Sequence, residues 1–378
     1  MGCRVRETET VAPRPPRPHR IFTLVGAGLW SPAQVTSRNA DFVPRGVDWI
    51  EEAVAEFDPD ANVVATASGR RIEYDFLMVA TGLKLDYAAV EGMDVSLIGR
   101  EGIASIYAGP QEAAASAAAI DRFLETGGVG LFGRPETEMK CAGAPLKITF
   151  ITDDKARRQG RRDAVELKYN AHNPTVFAVP TVNDKVTEMF AERDIAVNYA
   201  HVLKAIDPGG RTATYATEAG DVVLDYDFIH VVPPMRAPDA VRNSPLPWQE
   251  GEFAADGWVE ADRATLRHPR YPNVFAIGDI AGVPRGKTAA SVKSQVPVVV
   301  ENLVAETAGR TPQATYNGYT SCPMVTGYGT AMLIEFDYDG TLVPSFPFID
   351  PLEELWVSWL IEEKGLLGAY RAMLRGRA

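Results

Sequence analysis

The arrangement of apolar and polar positions along the 378 residues predicts a sheet-and-helix protein whose strands end in glycine turns. In "NVVATASGRRIEYDFLMVATG" two strands flank a Ser-Gly turn, and a third, apolar strand runs into Thr81-Gly82. The pattern returns in "HPRYPNVFAIGDIAG", where an apolar strand over Val274 to Ile277 stops at Gly278-Asp279. A helical segment, "KTAASVKSQVPVVVENLVAE", follows it. Two further apolar runs contain glycines in suggestive positions. "IFTLVGAGLWSP" reads as a strand-like run before Gly26 and Gly28, and "GVGLFG" as an apolar strand after an Ala-rich helical stretch. Near the carboxyl end, helical spacing puts Leu352, Leu355, Trp356, Trp359 and Leu360 on one face. Glu363 falls back on that face, and the pattern fails at Lys364-Gly365.

Length and balance narrow the function. A chain 46% hydrophobic buries a large core in two domains or one interleaved pair. A net charge of -12 argues against nucleic acid and for small-molecule ligands. No apolar run approaches the roughly 20 residues that cross a bilayer, and the Pro- and Arg-rich first 20 residues lack a signal peptide's apolar core. Arg6 stands where a myristoylation signal carries Ser or Thr. The five histidines show no metal-ligand spacing; His172 reads as structural, and His230, ending an apolar strand, as structural or as an acid or base.

Neither Gly-rich pattern reads as a phosphate cradle. "GVGLFG" (Gly128, Gly130, Gly133) satisfies G-x-G-x-x-G in letters, but Pro135 follows where a helix must open. In "IFTLVGAGLWSP" the third glycine is Ser31, and Pro32 steers Ser31 away from helix. By contrast, a buried strand ending in Gly-Asp ahead of a helix lets backbone approach a ligand and offers a carboxylate to sugar-like hydroxyls.

Three cysteines are too few for a disulfide scaffold, so a pair among them is of interest as chemistry. Cys141 lies in "MKCAGAPLK", with Lys140 and Lys147 placed to favour a thiolate, and Cys322 in "NGYTSCPMVTGYG". Cys3 reads as a leader residue.

The "ATG" and "GD" segments resemble motifs of the FAD-dependent pyridine nucleotide-disulfide reductase superfamily. "NVFAIGDIAGVPRGKTAASVKSQ" and both cysteine segments resemble its sulfide:quinone oxidoreductase branch, from Phe22 onward. Leu146 departs from the pattern, in which Gln is common. The resemblance implies an α/β protein with two Rossmann-like domains, the first incomplete, and carboxyl-terminal amphipathic helices. It divides the chain into an atypical leader (1–20), a partial FAD-binding domain (21–100), a second Rossmann-like domain carrying Cys141 (101–236), the remainder of the FAD-binding domain (237–320) and a terminal segment with Cys322 (321–378). No strand, Gly-rich turn and helix stand upstream of Ile21 to hold the FAD pyrophosphate; the reading favours a truncated or misread start over flavin held without that grip.

By the same resemblance, FAD is held through Thr81, Gly82, Gly278, Asp279 and the helix opening near Lys287. Hydrogen sulfide attacks a Cys141–Cys322 disulfide, a thiolate, assigned to Cys141, reduces FAD, and quinone takes the electrons. The sulfane sulfur passes to a small acceptor the sequence does not name. The terminal helices associate with a membrane surface without spanning it. The alternatives are a type II NADH:quinone oxidoreductase, with "GVGLFG" as its nicotinamide site, and a non-catalytic truncated homologue.

Overall fold

A computed structural model describes residues 8–11 and 22–377. The expectations for Cys3 and Arg6 lie outside these residues.

The centre of the molecule is a five-stranded, all-parallel sheet in the order Ile195–Asn198, Val165–Asn170, Gly128–Gly133, Phe228–His230, Ile103–Ala104. Parallel strands need crossover connections, and helices supply them. Helix α2 (Pro110–Thr126) starts with proline in its first turn and turns Ala113, Ala117, Ile120 and Phe123 inward. It ends at Gly127, whose φ of +83° suits glycine. Helices α3 (Ala144–Arg158) and α4 (Pro180–Glu192) make the later crossovers. A three-stranded antiparallel sheet, Val202–Asp207, Thr212–Thr217 and Gly220–Asp225, interrupts the series.

A second core forms around Trp258 from segments far apart in sequence. Leu77–Val79 pairs in parallel with Val274–Ala276, so the two glycine-ended strands of the sequence lie side by side. The strands Val63–Thr66 and Arg71–Glu73 flank the Ser68-Gly69 turn, as their alternation predicts, and Val54–Asp58 completes their sheet. The short α5 (Asp239–Arg242) and the long α6 (Ala289–Thr307) complete this half.

Three segments depart from the sequence reading. The run before Gly26 is not a strand but the short, wholly buried helix α1 (Phe22–Gly26). A brief apolar run without alternation suits either state, and burial decides it. Gly26 is a packing glycine, since a Cβ there would meet Ile106 Cγ2 at 2.5 Å. Within the expected leader, Thr8–Val11 forms a strand parallel to Val47–Ile50. At the carboxyl end the helix starts only at Trp356. Leu355 is extended and exchanges two backbone hydrogen bonds with Ala331, which removes Leu352 and Leu355 from the predicted face. Helix α7 (Trp356–Leu360) passes through a π-helical turn (Ile361–Gly365) into α8 (Leu366–Leu374). The wider turn changes the register. Trp359 is buried, Trp356 is 64% exposed and Glu362 is turned inward.

One buried carboxylate ties these parts together. Asp153 on α3, fully buried, takes Arg157 at 2.9 Å, Arg162 at 2.7 Å and Arg193 at 3.6 Å. Arg193 also donates to Thr326 O and to Glu354, reaching the segment that leads into α7. Removing one partner from a buried charge network strands the others. Asp153→Asn is therefore expected to lower the unfolding free energy by roughly 3–5 kcal/mol, read from a denaturant titration; a loss below about 1 kcal/mol would show that the arginines find solvent instead.

Candidate active site at the cysteine loop

The segment Lys140–Gly143 leads directly into α3 and is pinned on three sides. Cys141, at φ +49°, occupies the left-handed region that residues with a Cβ seldom adopt. Its N–H donates to Lys287 O at 3.1 Å, and its carbonyl accepts from Ala144 N at 2.8 Å and from the Tyr107 hydroxyl at 3.3 Å. Cys322 arrives from the other end of the chain, its N–H bonded to Ile334 O at 2.8 Å. A Cβ on Gly143 would stand 2.4 Å from Cys322 Sγ. Only a bare Cα lets that sulfur rest on the Cys141 loop.

Both cysteines are thiols and both are buried, at 4% and 5% exposure. They sit at the amino end of α3, where unpaired backbone N–H groups and the helix dipole favour negative charge. The two lysines are inside with them. Lys140 lies 5.9 Å from the Tyr107 ring centre, and burial pushes its ammonium down to about 8, against the raising effect of Asp279 and Cys141. Lys147, one turn into α3, pairs at 3.8 Å with Glu362 of the π turn, both side chains being buried. Burial, reinforced by Cys141, Tyr169 and Cys322, holds the Tyr107 phenol well above its ordinary value, so it remains a neutral donor. His230 packs 6.4 Å from Tyr107 with Nδ1 unpartnered; burial pushes it down to about 3, so it is uncharged near neutral pH. Leu146 is fully buried in the core.

Behind the loop lie the carboxyl ends of the paired parallel strands. Gly82 and Gly278 both hold positive φ, +66° and +74°, and Gly278 N–H donates to Gln295 Oε1 at 2.8 Å. Thr81 is exposed beside them. Burial raises the Asp279 carboxyl, opposed by Lys140 and Lys287. Among the described residues no side chain hydrogen-bonds that carboxylate. Lys287 does not face outward: Nζ donates to Asp279 O at 2.7 Å and Ala281 O at 3.1 Å and lies 3.8 Å from the Trp258 ring centre. Its ammonium is pushed down to about 8 by burial, with Glu138, Asp279 and Asp256 opposing. Helix α6 then opens at Thr288, whose Oγ1 accepts from Ser291 N. An acceptor-only carboxylate without a donor, bare glycine backbone and a helix amino end suit a polyhydroxylated, anionic cofactor such as a flavin nucleotide.

The letters of "GVGLFG" have a packing explanation. A Cβ would strike the Asp227 carboxylate at Gly128, the Phe123 ring at Gly130 and Asn170 O at Gly133. These glycines close a sheet and leave no surface for a phosphate.

On the opposite side of Cys322, a cavity of about 250 Å³ opens beneath the terminal helices. Ser321 and Pro323, the neighbours of Cys322, line it with Leu333, Phe346, Ile361 and Glu362. Sequence reasoning missed Tyr107, Gly143 and Glu362. Gly143 carried a signal, lying two residues after Cys141 with proline close behind, whereas the inward turn of Glu362 depends on the π turn. Gly143→Ala is expected to push Cys322 off the loop and to cost roughly 1–3 kcal/mol of stability. A thermal melt, with the yield of crosslinking between the two thiols by a short bifunctional reagent, checks it; unchanged crosslinking would mean that the loop yields freely.

No protein-family model matches the chain. Among curated proteins it is 36% identical over 357 residues to the mitochondrial sulfide:quinone oxidoreductase of Dictyostelium discoideum, covering 94% of this chain and 77% of that protein. It is also 36% identical over 363 residues to the mitochondrial sulfide:quinone oxidoreductase of Mus musculus, covering 94% and 78%. The solved sulfide:quinone oxidoreductase of Aquifex aeolicus superposes with a TM-score of 0.79 at 20% identity, over 98% of this chain and 86% of the other, which establishes the shared α/β fold. With more than three-quarters of each of those curated relatives spanned at this identity, the chain belongs to the sulfide:quinone oxidoreductase family.

Proposed function

We propose that the protein oxidises hydrogen sulfide and reduces a quinone, working through Cys141, Cys322 and bound FAD. The observation that carries this reading is the seating of Cys322 Sγ on Gly143, which brings cysteines 181 positions apart in the chain together at the amino end of α3. In the oxidised enzyme the two sulfurs form a disulfide. Sulfide attacks it, leaving a persulfide on one cysteine and a thiolate on the other. The electron pair of the broken bond stays on the thiolate sulfur, which the α3 N–H groups stabilise. We assign the thiolate to Cys141, whose backbone is bonded to Lys287 beside the cofactor site.

FAD, when bound, supplies the two-electron relay from thiolate to quinone. Asp279 would accept from its hydroxyls and Gly82, Gly278 and Thr81 would border its approach, while Lys287 props the Asp279 backbone from within. Residues 54–79 and 237–320 make this half, 101–236 carries the Cys141 loop, and the segment with Cys322 closes the site, while residues 22–35 pack on the parallel-sheet core instead. Quinone enters the cavity under α7 and α8, apolar along Leu333, Phe346 and Ile361 with the Glu362 carboxyl at its wall. The persulfide sulfur leaves to a small acceptor. The rival reading as an NADH:quinone oxidoreductase loses its only nicotinamide site, since the glycines of "GVGLFG" are filled by packing.

The protein purified with FAD should be yellow and should bleach under anaerobic sulfide, and Cys141→Ser and Cys322→Ser should each lose that bleaching. Near-normal sulfide-dependent quinone reduction in either variant overturns the disulfide scheme, and a colourless protein would favour the non-catalytic reading.

No described helix is long and apolar enough to cross a membrane. We propose that the surface around α7 rests on one instead. Phe348, which packs on Phe346 of the cavity wall, is 82% exposed and Trp356 is 64% exposed, and such side chains suit a lipid interface. Deleting the terminal helices would also remove buried Trp359 and the Glu362 partner of Lys147, so substitution is the cleaner test. Phe348→Ser with Trp356→Ser should weaken sedimentation with phosphatidylcholine vesicles by roughly 100-fold or more, leaving sulfide bleaching intact; undiminished sedimentation would place the membrane contact elsewhere.

A further inference from the structure

Two of the residues that line the cavity beneath the terminal helices carry carboxyls, and the structure connects them differently. Glu362 is committed to Lys147 at 3.8 Å, both side chains being buried. Glu335 is tied to the surface instead. It stands directly opposite Ser321 in the antiparallel pair of Thr320–Ser321 with Glu335–Phe336, so the two side chains share a face. Side chains alternate along an extended chain: Ser321 and Pro323 line the cavity, and Cys322 between them turns the other way, onto Gly143. Glu335 thus lies on the cavity side of a ladder whose other side holds the cysteine sulfur.

Glu335 is only 7% exposed, yet its carboxylate accepts three hydrogen bonds. Oε1 takes the Tyr319 hydroxyl and, at 2.8 Å, Ser345 Oγ, while Oε2 takes Ser345 N–H at 2.6 Å. Ser345 is exposed, and the Tyr319 hydroxyl oxygen lies 3.5 Å from its Oγ. Val343 N–H donates to Glu335 O at 2.9 Å, which fixes the segment carrying Ser345, and the next residue, Phe346, forms cavity wall. Exchangeable hydroxyl protons therefore run from the surface to a carboxyl at the edge of an apolar cavity. With one donor among the described residues, Oε2 keeps an accepting position for a further proton.

A backbone bond such as that of Val343 already holds the segment, whereas a carboxylate beside apolar walls is costly to bury. Quinone reduction supplies a use for it. Two protons enter the product with two electrons, and Leu333, Phe346 and Ile361 offer none.

We infer that Glu335 is the residue that passes a proton to the quinone, resupplied from solvent through Ser345, with Tyr319 holding the carboxylate in place. The inference rests on the proposed reading of the cavity as the quinone site. As electrons arrive, negative charge builds on a quinone oxygen. A proton enters through the Ser345 hydroxyl, crosses the Glu335 carboxylate and ends on that oxygen. The quinone takes a hydride from reduced flavin together with this proton, becoming the quinol as the flavin returns to its oxidised form. Glu335 ends as it began.

The test reduces the flavin-loaded protein anaerobically with dithionite, which makes the outcome independent of the sulfide chemistry. Reoxidation is then followed by stopped flow with decylubiquinone or with ferricyanide, which takes electrons without protons. Glu335→Gln is expected to slow the saturating rate with decylubiquinone by roughly 100-fold or more, leaving the ferricyanide rate and the quinone Kd from tryptophan quenching unchanged. Glu335→Asp should recover part of that rate. Ser345→Ala, which keeps the carboxylate with Tyr319 but cuts its route to solvent, should slow it less than Glu335→Gln. The wild-type rate with decylubiquinone, unlike that with ferricyanide, should fall in heavy water. If Glu335 only clamps its segment, the losses fall on the quinone Kd or on both acceptors alike, and the inference is overturned. An undiminished decylubiquinone rate in Glu335→Gln overturns it as well. A wild type that ferricyanide reoxidises and decylubiquinone does not removes the quinone reading itself, and this inference with it.

Discussion

The hydrogen bond from Cys141 N–H to Lys287 O is the joint on which the site depends. It fixes a loop of the parallel-sheet half to the segment between Asp279 and α6 in the other half. Lys287 is itself immobilised, its ammonium bonded to two backbone carbonyls and stacked on Trp258. Burying that ammonium is costly, as its depressed pKa records. The cost is offset by cation–π attraction and two hydrogen bonds, and the result is a backbone that cannot drift. A left-handed Cys141 is strained on its own; carbonyl acceptors and donors on both sides of it hold the conformation.

From that joint the remaining geometry follows in order. The turn at Gly143 opens α3, α3 carries Lys147 and Asp153, and these reach forward to Glu362 and to the Arg193–Glu354 pair. The terminal segment is thus fastened to the helix whose amino end serves the cysteines. An inward Glu362 requires the π turn, and the turn is tolerated because the ion pair and buried Trp359 hold both of its sides. The distortion and the cavity beside it are one feature.

The sequence disclosed the glycine-ended strands because their apolar runs were bounded by turn residues, and the structure lays them side by side. It also allowed "GVGLFG" to be read as a strand, and the reason is now visible in what fills the place of each missing Cβ. What could not be read was anything set by tertiary burial. Phe22–Gly26 lacks the length or periodicity to separate helix from strand, and only its complete burial makes it a helix. The terminal face was misjudged because a 3.6-residue period was carried through a segment that begins four residues later than expected and then widens. Tyr107 and Glu362 carry no local signature at all, since only tertiary packing brings one to the Cys141 carbonyl and the other to Lys147.

A reaction between a polar sulfur donor and a lipid-soluble electron acceptor poses a problem of separation, and the layout described here answers it with a wall. On one side of the cysteines lie the neutral Tyr107 hydroxyl on the Cys141 carbonyl and the buried ammonium of Lys140. On the other, the cavity is apolar along Pro323, Leu333, Phe346 and Ile361, with Glu335 and Glu362 at its wall. Between them Cys141 and Cys322 are almost inaccessible, and the charges of Lys140 and Lys287 are buried and partly compensated by Asp279. In the proposed scheme sulfur would be carried bonded to a cysteine and electrons through the flavin beside it, and the burial of both cysteines suits keeping the two substrates apart.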